Sequence, residues 1–85
     1  MAKTKSGFKY EISEKRLNNF ELLDAFYQLE DDPLVLVKLP KLLLGEEQTK
    51  RLYDHLRDED GIVPTDKMEQ EIIEIIEESK KIKNS

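Results

Sequence analysis

The sequence predicts a mostly α-helical protein: a small bundle of about four helices with one short extended strand near the N-terminus. Three observations carry that expectation. Charged residues make up 39% of the chain and hydrophobic ones 38%, and the hydrophobic ones are clustered and periodic rather than dispersed, as a folded chain requires. The clusters recur at helical spacing between capping and breaking residues. Only two segments read as extended: Phe8, Tyr10 and Ile12, which alternate with Lys9 and Glu11, and the short run Ile62-Val63 before Pro64. With 85 residues the chain makes one domain with a thin core. The expected division is a disordered lead-in over residues 1–6 and a single helical domain over 7–83.

Taken in order, the strand at 8–12 cannot satisfy its backbone alone, so it pairs either with residues 61–64 or with another subunit. Ser13 caps a short helical turn over 14–17, which Asn18-Asn19 interrupts. Asn19 then caps a helix over about 20–30. Its apolar residues, from Phe20 through Leu29, cover an arc of roughly 220° at ~100° per residue, leaving Glu21, Asp24 and Gln28 as the polar stripe. A helix apolar over so wide an arc is buried on more than one side.

The densest apolar run follows at 34–44, fenced by Asp31-Asp32 and Pro33 before it and Gly45 after it. It is too short to span a bilayer. Pro40 lies inside it and biases Leu39 away from helical geometry, so the run forms two short helical pieces or one kinked helix. A third helix at about 46–57 shows only a narrow stripe of Leu52, Tyr53 and Leu56, and residues 58–61 form a turn. The last helix starts near Thr65 or Asp66 and runs to about Lys81, with Met68, Ile72, Ile75, Ile76 and Ile82 on one face and Ile73 widening it.

Signatures of chemistry are weak throughout. His55 is the only histidine and sits among charged residues, which points to plain surface. Asp58-Glu59-Asp60-Gly61 lacks the spacing of a calcium loop and reads as a turn. Three scattered glycines make no phosphate loop, and the absence of cysteine removes disulfides and thiolate metal sites. No catalytic residue, metal or cofactor is expected. The net charge of −5 argues against nucleic acid, and the lysines at 3, 5 and 9 and at 80, 81 and 83 lie at the two ends of the chain as solvated tails. The link at 58–64 is also too long and acidic for a helix-turn-helix.

What remains is surplus apolar surface, which in a small acidic protein points to self-association or to clamping an apolar partner. Wheel geometry nominates Leu36, Leu39 and Leu43 of the central run, with Ile73 and Ile76 of the last helix, as the contact residues. Glu71, Glu74 and Glu78 form an acidic face that reads as solvated.

Several segments as a set resemble the tail assembly chaperones of long-tailed phages and prophages of Gram-positive hosts. They are Gly7-Phe8-Lys9-Tyr10-Glu11-Ile12, Asn19-Phe20-Glu21-Leu22-Leu23, Leu42-Leu43-Leu44-Gly45-Glu46-Glu47-Gln48 and Asp58-Glu59-Asp60-Gly61-Ile62-Val63-Pro64, followed by the isoleucine pattern of residues 72–76. Pro40 departs from a continuous central helix. The resemblance implies a non-catalytic, self-associating helical protein of the host cytoplasm, absent from the mature virion. It would bind the tape measure protein and keep it soluble while the tail tube polymerises, with the major tail protein as a further partner and no membrane or nucleic acid involved. The alternative is a small acidic phage-encoded adaptor that binds and inhibits a host protein.

Overall fold

The computed structural model describes residues 2–83, with the backbone alone from 80 to 83. Among these residues the chain forms a two-stranded hairpin, β1 (Ala2–Lys3) and β2 (Lys9–Tyr10), and then α1 (Glu14–Leu17) and α2 (Phe20–Gln28). A 3-10 turn (Pro33–Val37) leads into α3 (Leu39–Leu56) and α4 (Thr65–Lys83). The mostly helical class is the one expected.

The helix boundaries follow from local chemistry. Ser13 Oγ accepts the Arg16 N–H at 3.2 Å to start α1, and Asn19 Oδ1 accepts the Glu21 N–H at 3.0 Å to start α2. Asp32 does the same for Leu34 at 3.1 Å, with Pro33 in the first turn of the 3-10 segment. The break expected at Pro40 falls just ahead of it. Pro40 occupies the first turn of α3, where its missing donor has no intrahelical acceptor to lose. The second break is at Gly45, whose φ of 82° and ψ of 168° interrupt α3 and let its two halves differ in direction.

The N-terminal strand finds a different partner from either one expected. It pairs antiparallel with β1, Ala2 opposite Tyr10 and Lys3 opposite Lys9. Within the expected lead-in, residues 2–3 are a strand and Thr4 is buried, while Met1 lies outside the described residues. Closing this hairpin needs only a short loop, stabilised by the Thr4 N–H donating to Phe8 O at 2.9 Å, whereas reaching residues 61–64 would close a loop some tenfold longer. Residues 61–64 instead serve their own turn. Asp58 Oδ1 accepts N–H bonds from Asp60 at 2.9 Å and Ile62 at 3.0 Å.

α3 is the hub. Its first half supplies Leu39 and Leu43 and its second half Leu52, all with no exposed surface, and Ile72 and Ile75 of α4 meet them in the same core. α2 contributes Leu22 and Ala25, and the hairpin contributes Phe8 and Tyr10. α3 also completes the hairpin's backbone bonding. Gln48 accepts the Glu11 N–H and donates to Glu11 O, both at 2.8 Å, and Arg51 donates to Lys9 O at 3.3 Å. No helix among the described residues is long and apolar enough to cross a membrane.

Candidate functional site

The wide apolar arc of α2 is divided between two environments. At ~100° per residue, Leu22, Ala25 and Phe26 lie together near the side turned to the core. Phe20, Leu23 and Tyr27, spaced i, i+3 and i+7, form a second stripe on the outer part of the arc. They are 80%, 62% and 78% exposed. An aromatic-rich stripe so exposed on one helix is the kind of apolar patch that marks an interaction surface.

This stripe borders a groove between α2 and α4, formed by two clefts that share Leu23 and Phe26. The first, about 200 Å³, is lined by Leu17, Leu22, Leu43, Ile76 and Ser79 besides the shared pair. The second, about 460 Å³, adds Tyr27, Leu29, Ile73, Glu30 and Glu69. From Leu22 in α2 to Glu30 just past its end, the opposing residues on α4 run back from Ser79 to Glu69, so the two walls are antiparallel.

The five nominated contact residues fall into two groups. Leu36 and Leu39 are core residues with no lining role in either cleft, so these two do not supply the contact surface expected of them. Leu43 is fully buried but forms part of the groove floor; Ile76 is buried along the wall, and Ile73 is half-buried in the second cleft. The groove's exposed residues, Leu23 and Tyr27, were not nominated. Their signal was present in the sequence as the outer edge of the α2 arc, but a wheel does not say which part of an arc the core covers. Outside the groove, Leu34 and Val37 of the 3-10 turn are also exposed. Their i, i+3 spacing puts them on one side of that turn.

A second cluster is polar. Glu71, expected on a solvated face, is buried, and its Oε1 accepts the hydroxyl protons of Thr4 at 2.8 Å and Ser6 at 2.9 Å. Glu74 accepts the Lys5 N–H at 2.8 Å. The N-terminal hairpin is thus latched onto the acidic side of α4. His55 Nε2 lies 3.0 Å from Ser6 Oγ. Because the Ser6 proton is directed at Glu71, the imidazole serves this contact as N–H donor. In a hydrolytic triad the acid holds the histidine and the histidine takes the serine proton; here the acid takes the serine proton directly, and the arrangement acts as a clasp. The His55 ring also packs at 5.6 Å from Phe8, which stacks on Tyr10 at 6.2 Å. Burial, followed by the charges of Glu78, Glu74 and Glu71, pushes the Tyr10 phenol above its ordinary value of 10.0. No group of three or more His, Cys, Asp or Glu among the described residues is arranged to hold a metal ion.

No protein-family model, curated protein or solved structure matches the chain.

Proposed function

We propose that this protein is a non-catalytic tail assembly chaperone that binds the tape measure protein through the groove between α2 and α4. One observation carries the reading: a contiguous apolar surface of Phe20, Leu23 and Tyr27 opens onto a groove floored by Leu43 and walled by Ile73 and Ile76. Burying that surface against a partner removes it from water, at about 25 cal/mol per Å² of apolar area. The groove walls are helices whose backbone bonds are internal, so the occupant cannot add a strand and must satisfy its own backbone, as a helix does. A long amphipathic helix kept soluble by several copies of a small acidic protein meets that requirement.

In this reading the protein acts in the host cytoplasm, coats its partner in multiple copies and leaves before the virion is complete. Leu34 and Val37, exposed on the 3-10 turn, are available for contact between copies or with the major tail protein.

The test is co-expression with fragments of the tape measure protein encoded beside it, followed by affinity capture. Capture of a helical fragment, lost in Tyr27→Asp while the variant stays folded, supports the reading. Failure of every fragment to be captured or solubilised overturns it.

A further inference from the structure

The groove is apolar along most of its length but not electrically uniform. Its charged lining residues among those described are Glu30 and Glu69, both acidic and both in the cleft nearer the start of α4. Among the residues whose side chains are described, the other cleft, bounded by Leu17 and Ser79, has no charged lining residue. Because the walls run antiparallel, Glu30 from the α2 side and Glu69 from the α4 side occupy the same end of the groove. Both are exposed, so each keeps its hydration until something docks beside it. The chain around them adds charge of the same sign, with Asp31 and Asp32 directly after Glu30 and the exposed Asp66 one turn before Glu69.

An apolar occupant that covers this end removes water from two carboxylates. Without a counter-charge that desolvation opposes binding, and with one it becomes a pair of charge-assisted contacts. The wall from Leu22 to Leu29 is about 10 Å long at 1.5 Å per residue, and Leu17 of α1, across the break at Asn18-Asn19, carries the lining beyond it. The occupant is then a helix presenting an apolar stripe of about three turns.

We propose that the groove selects an amphipathic helix whose apolar stripe ends in Lys or Arg, and that Glu30 and Glu69 fix the direction in which it lies. This rests on reading the groove as the partner site and adds the partner's charge pattern and polarity. Another copy of α2 does not meet the requirement, because its exposed stripe is bordered by Glu21 and Asp24. Carboxylates would then face carboxylates across the contact.

The experiment uses the full chain and two synthetic amphipathic helices of about eighteen residues, each with the same three-turn leucine stripe. One carries a pair of lysines just beyond one end of the stripe and the other carries glutamates there. Affinities are read by fluorescence anisotropy at low and high salt. The lysine peptide is expected to bind about tenfold more tightly at low salt, with the preference shrinking as salt rises. The double variant Glu30→Lys/Glu69→Lys is expected to reverse the preference. Both substitutions are on exposed side chains, and circular dichroism confirms that the variant is folded. Tyr27→Asp is expected to weaken both peptides.

Equal binding of the two peptides by the wild-type chain overturns the charge selection; if Tyr27→Asp still weakens both, the groove remains the site and only this inference fails. If Tyr27→Asp leaves the affinities unchanged, the groove is not the site, and the functional reading fails with it. Concentration-dependent self-association that Tyr27→Asp abolishes, with neither peptide bound, assigns the groove to a second copy and overturns the proposal.

Discussion

Gly45→Ala tests whether the break in α3 is a requirement of the fold. The residue holds φ at 82° and ψ at 168°, a region that side chains with a Cβ essentially do not occupy. Strain of this kind costs of order 1–3 kcal/mol. An added Cβ would also stand 2.8 Å from a terminal nitrogen of Arg16, too close, although that guanidinium is the end of a flexible chain and can swing aside. Acting the other way, alanine reduces the freedom of the unfolded chain and returns about 0.4–1 kcal/mol. The expected net is a destabilisation of about 1–2 kcal/mol, a large fraction of the roughly 4–13 kcal/mol available to a domain of this size.

Urea unfolding followed by circular dichroism measures the change directly. Gly61→Ala is the control. That residue has a φ of 81° with nothing near the position of a Cβ, so it reports backbone strain without the arginine contact. Combining Gly45→Ala with Arg16→Ala shows whether the contact adds anything, since only a real clash leaves the two changes coupled. An unchanged or raised urea midpoint for Gly45→Ala would refute the claim that the left-handed break holds the two halves of α3 in place.

Three further outcomes are expected. Leu43→Ala, at a fully buried position on the groove floor, should cost about 2–5 kcal/mol in the same unfolding assay, and a loss under about 1 kcal/mol would mean that the site collapses to fill the space. Glu71→Ala removes the acceptor of both Thr4 and Ser6, so it should cost about 1–3 kcal/mol and speed amide exchange in the β1–β2 hairpin more than in α2; uniform exchange would show that the clasp does not hold the hairpin. Tyr10 has its phenol pKa raised in the folded state, so its contribution is complete below about pH 10, the unfolded value, and is lost as pH rises through the folded value, because the unfolded chain gives up the proton first. Melts from about pH 9 to about pH 11 should fall less steeply for Tyr10→Phe than for the wild type, and identical slopes would count against the raised value.

The features legible in the sequence are those set by chemistry within a few residues. Ser13, Asn19 and Asp32 cap as their side chains dictate, and Gly45 separates two helical pieces because no other residue type accepts its backbone geometry. Features that depend on distant partners were not legible. A strand as short as Ala2–Lys3 gives too few residues for alternation to register, so the partner of β2 was hidden. Glu71 looks like any carboxylate on a charged helix until the hairpin brings Thr4 and Ser6 across from the other end of the chain. Three of the five expected contact residues come from the most apolar run, where Leu36, Leu39 and Leu43 are claimed by the core while Leu34 and Val37 are exposed. Leu36 and Leu39 are where hydrophobicity alone would put them, inside.

The exposed stripe on α2 is not relieved by a small adjustment of packing. Leu22 and Ala25 point into the core, while Leu23 and Tyr27 are centred about 150° further around the helix at ~100° per residue. Rotating α2 to bury the second pair would draw the first pair out, with no gain in apolar burial. One neighbour cannot cover both sides of a helix, and α3 already covers the first. The second side is exposed along Leu23 and Tyr27. α4 reaches that side at a distance that leaves a groove, floored by Leu43 and walled by Ile73 and Ile76. Among the described residues, half of the large exposed apolar side chains, Phe20, Leu23 and Tyr27, are therefore gathered beside this groove, while Leu34, Val37 and Ile62 lie apart from it.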